Sequence, residues 1–235
     1  MTASLDQDPV VAFLGLGLIS GSLAGALKAS QWGAEIIAWG PRTPSLERGQ
    51  ALGLIDRFSL DLAEVISEAD LIVIGAPPVA TAKLLPEVLA HATQGRQPVV
   101  TDMASIKGAI VDAAQPFYPK FVPGHPIAGS ENSGVQAANS DLFQGREVIL
   151  TPVEGTESTA IAAVEALMTL LDEGVAPEAI SKVTVRVPPP YARMIATKPE
   201  AGSRSSTIVS AAYQLGLAAC CRARLYDWNG GRAAR

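Results

Sequence analysis

Short apolar runs rich in valine and isoleucine alternate along this chain with longer segments whose hydrophobic positions recur every three to four residues. Strand and helix periods in alternation predict a mostly parallel sheet wound on both faces, a Rossmann-type α/β fold. Val10–Leu14 reads as a buried first strand, followed by a glycine turn and a helix of small residues to Ser30. Glu35–Trp39 is the second strand, ended by Gly40-Pro41-Arg42, and Ser45 is suited to cap a helix running to Leu52. Leu60–Glu68 predicts another helix, Leu71–Gly75 a strand stopped by Pro77-Pro78, and Thr81–Ala92 a helix. Beyond them lie a strand from Pro98 to Thr101, a helix over Ile106–Ala114, and a short strand Lys120–Val122 that ends in Pro123-Gly124. Glu147–Leu150 and Val183–Val187 are further strands flanking a helix over Ser158–Leu171. Pro188-Pro189-Pro190 then supplies no backbone donors and favours extended chain, so it divides an α/β domain (1–187) from a C-terminal segment (188–235).

Composition narrows the function classes. The chain is 48% hydrophobic, enough for a substantial core. Its net charge of −5 gives no reason to expect a nucleic-acid or anionic-membrane partner. Cys220 and Cys221 are adjacent and His91 and His125 lie far apart, so we expect a reduced, cytoplasmic protein without a metal site. The first nine residues lack the basic start of an export signal. Val10–Leu27 is uncharged and of nearly membrane-spanning length, with Gly17, Gly21 and Gly25 at four-residue spacing. Its glycines and Ser20 and Ser22 dilute the hydrophobicity, and the α/β rhythm around it argues for a soluble fold.

Gly15-Leu16-Gly17-Leu18-Ile19-Ser20 follows a predicted strand and opens a predicted helix. In that setting Gly15 permits the tight turn and Gly17 a close approach of backbone to a pyrophosphate. The N–H groups from Leu18 to Ser20 then face the phosphate charge. Ser20 stands where a third glycine is usual, while Gly21 and Gly25 keep close helix–sheet packing possible. At the tip of the second strand no carboxylate is available for an adenosine ribose; Gly40 is neutral and Arg42 is near enough to meet a 2′-phosphate. That favours NADP over NAD, with an unpaired turn arginine as the alternative. Pro77, at the end of a third strand on the same edge, is a further cofactor-side residue.

Thr101-Asp102-Met103-Ala104-Ser105-Ile106-Lys107 and Gly124-His125-Pro126-Ile127-Ala128-Gly129-Ser130-Glu131 both fall at strand C-termini, the edge of an open parallel sheet where ligands bind. His125 lies among small and hydrogen-bonding residues, which fits an active-site loop better than a core. Together, Phe13 through Ala24, the Asp102-x-x-Ser105-x-Lys107 block and the His125 to Glu131 block resemble the prephenate dehydrogenase family, which includes arogenate and cyclohexadienyl dehydrogenases. The likeness runs from Pro9 to Leu171. It implies an NAD(P)-dependent oxidative decarboxylation in tyrosine biosynthesis: hydride leaves C4 of prephenate for the nicotinamide, the ring carboxylate departs as CO2, and the ring aromatises. By the same resemblance His125 accepts the 4-hydroxyl proton and Ser105 orients the hydroxyl or the histidine. Ser130 and Glu131 line the substrate pocket, and Asp102 shapes the loop near the nicotinamide. Lys107 has an equal claim to be a solvated helix charge.

The family continues into a helical domain that forms its homodimer and supplies a second histidine segment and an arginine for the substrate carboxylates. Tyr191–Ala196 resembles the start of that domain, with Tyr191 and Ala192 where the family has His-Asp, and after Thr197 the likeness ends. The expectation is a truncated or aberrant segment, as a frameshift or a degraded copy would give. Two other readings stay open: a different small Rossmann reductase, and a dinucleotide-binding remnant that folds without turning over.

Overall fold

The computed structural model describes residues 9–30, 32–114, 116–170 and 183–185. The 188–235 segment, including Tyr191–Ala196, lies outside the described residues. Eight described strands share one sheet: β1 (Val10–Leu14), β2 (Glu35–Trp39), β3 (Arg57–Ser59), β4 (Leu71–Ile74), β5 (Val99–Asp102), β6 (Phe121–Pro126), β7 (Val148–Leu150) and β8 (Val183–Val185). Their order is β3-β2-β1-β4-β5-β6-β7-β8, parallel throughout except where β7 runs against β6. The helices are α1 (Leu18–Ala29), α2 (Thr43–Ala51), α3 (Leu62–Glu68), α4 (Pro78–Gln94), α5 (Lys107–Ala113) and α6 (Ser158–Leu170). This is the expected doubly wound architecture.

Strand alternation builds two cores from the same residues. Val11, Phe13, Leu71 and Val73 bury one face of the sheet against α1, α6 and the Val135–Phe143 segment. Ala12, Leu14, Ile72 and Ile74 bury the other against α3, α4 and α5. The apparent membrane-length stretch is thereby divided between β1, the turn and α1. Among the described residues no helix is long and apolar enough to cross a membrane.

Three local expectations need correction. α2 begins at Thr43 with Arg42 at the N-cap, because Pro44 suits the first helical turn; Ser45 is already inside the helix. β3 was invisible in the pattern, being only three half-buried residues, Arg57, Phe58 and Ser59, on the sheet edge. Most consequential, β6 does not end at Pro123-Gly124 but continues through Pro126. Pro123 has no donor to offer, yet its carbonyl accepts from the Thr151 N–H at 2.8 Å, and β7 pairs His125 with Ile149. His125 is therefore a half-buried strand residue rather than part of a loop.

The glycines of α1 also behave differently from expectation. A Cβ on Gly21 would stand 3.0 Å from Ala138 Cβ, and one on Gly25 3.1 Å from Leu54 Cδ2. The small-residue face of α1 thus receives the Val135–Phe143 segment and Leu54, not the sheet.

Candidate functional site

The parallel register aligns Trp39, Leu14, Ile74, Asp102 and Pro123 in one row across five strands. With neighbouring strands about 4.8 Å apart, Leu14 and Pro123 are separated by roughly 14 Å. Just past that row the amides repeat one pattern. Gly15 donates to Trp39 O at 2.8 Å, Gly75 to Leu14 O at 2.9 Å, and Met103 to Ile74 O at 3.0 Å. This rim carries the glycine turn at one end and His125 at the other.

At the turn, Gly15 has φ +91°, a conformation that glycine adopts without strain. Gly17 precedes α1 with extended backbone, and a Cβ there would meet nothing within 4 Å. The first intrahelical donor is Gly21 N–H, to Gly17 O at 2.9 Å, which leaves the amides of Leu18, Ile19 and Ser20 without helical acceptors. Ser20 itself is fully buried, and a Cβ on Gly75 would collide with its hydroxyl. Its side chain is therefore directed inward at the end of β4, and only its amide belongs to the helix terminus. Gly75 is the residue that sequence reasoning missed; a glycine closing a purely apolar strand was the available signal. At the tip of β2, Gly40 is buried while Arg42 is exposed and unpaired among the described residues. Pro77 is exposed at the N-cap of α4.

At the other end, Asp102 is completely buried on β5. Its Oδ2 accepts from Ala104 N–H at 2.9 Å and from Lys107 Nζ at 2.5 Å, and its Oδ1 from Gly124 N–H at 3.3 Å. Lys107 also donates to the Gly124 carbonyl. The alternative of a solvated helix charge fails for Lys107: its side chain is only 16% exposed and bridges β5 to β6. Burial pushes the Asp102 carboxyl up and the Lys107 amine down from their ordinary values. Three donors aimed at one carboxylate nonetheless describe an ionised pair. A Cβ on Gly124 would lie 3.0 Å from Asp102 O, so the close approach at this crossing requires glycine.

His125 follows directly. Burial lowers its pKa below the usual 6.5, the Lys107 charge lowers it further, and a backbone contact with Met103 opposes them. Its Nδ1 is buried without a hydrogen-bond partner among the described residues. At neutral pH the ring is neutral and able to take a proton. Ser105, Ser130 and Glu131 are all exposed on the connections that leave β5 and β6. Ser130 Oγ accepts from Asn132 N–H at 3.2 Å, and no hydrogen bond ties any of the three to His125 among the described residues. Two concavities of the described surface lie elsewhere: one is lined by Phe117, Tyr118 and Phe121, the other by Lys28, Glu35 and Asp56.

Residues 23–177 match the family model described as prephenate dehydrogenase, nucleotide-binding domain. The chain belongs to the prephenate dehydrogenase family. It is 35% identical over 161 residues to the prephenate dehydrogenase of Bacillus subtilis, covering 67% of this chain and 43% of that protein. It is 34% identical over 154 residues to the cyclohexadienyl dehydrogenase of Zymomonas mobilis, covering 65% of this chain and 52% of that one. The chain therefore spans about half the length of the curated relatives it matches. Among solved structures, prephenate dehydrogenase from Aquifex aeolicus in complex with hydroxyphenyl propionate and NAD+ superposes with TM-score 0.67 at 26% identity, over 82% of this chain and 64% of that one. Synechocystis arogenate dehydrogenase gives TM-score 0.66 at 26% identity, over 88% and 74%. Membership of the prephenate dehydrogenase family removes the other small Rossmann reductases from consideration; a pyrroline-5-carboxylate reductase from Coxiella burnetii, at 16% identity, shares the fold alone.

The buried pair generates a prediction that needs no catalysis. Lys107→Met strands a buried carboxylate and should cost about 3–5 kcal/mol in denaturant unfolding. Replacing both partners, Asp102→Asn with Lys107→Met, removes the charge that depresses His125. Its NMR titration midpoint should then rise toward 6.5 without reaching it, since burial is the larger cause.

Proposed function

We propose that this chain binds a nicotinamide dinucleotide at the Gly15–Ser20 turn and carries the base of a prephenate or arogenate dehydrogenase. The observation that carries the reading is His125, held neutral on β6 at the same sheet rim as the turn. The dinucleotide fits what the chain offers: open space at Gly17 and three helix-terminal amides for the pyrophosphate. When bound, the nicotinamide supplies a hydride acceptor. His125 takes the proton of the substrate's 4-hydroxyl as hydride leaves C4. The ring carboxylate then leaves as CO2, and its electron pair completes the aromatic ring. Asp102 and Lys107 hold the β5–β6 crossing so that the imidazole stays in place and unprotonated. Ser105 orients the hydroxyl, and Ser130 and Glu131 line the side where the substrate enters. The family resemblance supports these residue assignments, and the prephenate and cyclohexadienyl dehydrogenases among the relatives support the reaction class. The substrate is a small molecule, and the homodimer that the family resemblance implies depends on a helical domain like the family's. We assign the protein to the cytoplasm as a soluble enzyme.

NADP is the favoured cofactor because the exposed Arg42 at the head of α2 faces no competing carboxylate from Gly40.

Three measurements test this. Gly17→Val fills the open space and should abolish dinucleotide binding in calorimetry while the protein stays folded; unchanged affinity refutes the turn's role. Charge-assisted bonds are worth ~1.5–3 kcal/mol, so Arg42→Ala should weaken NADP by up to about a hundredfold and spare NAD. Equal losses for both cofactors would contradict the preference. With prephenate and NADP, His125→Asn should lower kcat by about 10²–10⁴-fold at intact cofactor affinity. The unsubstituted rate should stay flat above pH 6.5 and fall only as the pH drops through the depressed His125 pKa. NADP binding with no turnover of prephenate or arogenate would instead identify an inert remnant.

A further inference from the structure

The connection after β6 is pinned at both ends. At its start, the Ile127 N–H donates to Glu147 O at 2.7 Å, continuing the β6–β7 ladder. Residues 129–133, which include Ser130 and Glu131, are exposed. At its end, Val135 is buried and two short 3₁₀ turns, Val135–Ala137 and Ser140–Phe143, run across α1.

The second anchor falls on the turn of α1 next to the proposed phosphate site. Asn139 N–H donates to Ser22 Oγ at 2.9 Å, and Ser22 is fully buried. Gly21 brings Ala138 and Val135 so near that an added Cβ would stand 3.0 Å from Ala138 Cβ and 3.3 Å from Val135 Cγ2. Val135 Cγ2 also stands 3.6 Å from where a Cβ on Gly49 of α2 would lie, and Gly49 is where Leu16 of the glycine turn packs. Gly21 and Ser22 come immediately after the amides of Leu18 to Ser20.

We propose that the seam of Gly21, Ser22, Val135 and Ala138 is a positioning device that transmits dinucleotide binding at α1 to the arc bearing Ser130 and Glu131. The inference rests on the dinucleotide reading above. With α1 free, its first turn and the attached segment fluctuate together, and the arc samples many conformations. A pyrophosphate on the helix terminus restrains that turn, and through close contact at Gly21 the arc is ordered before substrate arrives. Dinucleotide binding then raises the affinity for substrate, and by linkage substrate raises that for the dinucleotide equally. Gly21 and Ser22 act here through the arc and touch neither ligand.

Hydrogen exchange on the full chain tests this without requiring turnover. NADP at saturating concentration should slow exchange of amides 127–134 by about tenfold, as expected when local opening is suppressed. Gly21→Ala gains helix propensity, which offsets part of the strain of its new contact. It should bind NADP with nearly unchanged affinity yet lose the protection over 127–134. Ala138→Gly on that background removes the obstructing methyl and should restore it, which a general loss of stability would not allow. Ser22→Ala, which deprives the Asn139 N–H of its acceptor, should weaken the protection in the same direction. NADP binding that leaves residues 127–134 exchanging as before would overturn the proposal. So would Gly21→Ala retaining full protection. Absence of NADP binding altogether would overturn the dinucleotide reading, and the proposal with it.

Discussion

A single buried carboxylate holds together the part of this molecule where chemistry is expected. Along the rest of the sheet rim, each amide finds the backbone carbonyl of the neighbouring strand. At β5 and β6 that service passes to the Asp102 side chain, which accepts from Gly124 N–H while its second oxygen takes Ala104 N–H and the Lys107 ammonium. A charge buried without such partners is strongly disfavoured, so the four residues form together or not at all. Lys107, by also reaching the Gly124 carbonyl, fastens the first turn of α5 to β6.

This crossing has an electrostatic effect as well as a mechanical one. The same ammonium that neutralises Asp102 stands close enough to His125 to hold its proton affinity down. Burial of the ring works in the same direction. The imidazole is therefore neutral across the physiological range. The dependence also accounts for the glycine after Pro123: a Cβ there would stand 3.0 Å from Asp102 O and 3.2 Å from Thr101 Oγ1, so the crossing would have to shift to take one.

Much of the fold was legible because its signals were redundant. Leu71–Ile74 is purely apolar and fully buried, and so could only be a central strand of a doubly wound sheet. The glycine turn was equally plain, lying between a strand and a helix. What escaped were features decided by partners distant in sequence. β3 has no hydrophobic signature because its pairing with β2 forms it. The extension of β6 through two prolines depends on β7, which meets it from the other side. Lys107 looked like any helix-start lysine, and only the fold reveals that it points at Asp102. Gly21 and Gly25 were read against the sheet when their neighbours are Leu54 and a segment more than a hundred residues away. Local pattern names the elements; long-range contact decides which face of a small residue matters.

The tip of β2 combines two properties that are seldom found at one place. Gly40 is buried, yet a Cβ there would stand 3.6 Å from Leu46 Cδ2, an ordinary contact. Arg42, two residues on, is bound to nothing in the core. A methyl at position 40, or a different side chain at position 42, can therefore be accommodated without disturbing either hydrophobic layer. This corner is thus nearly free of stability constraint, in contrast to the crossing at Asp102, where each group is held by its neighbours.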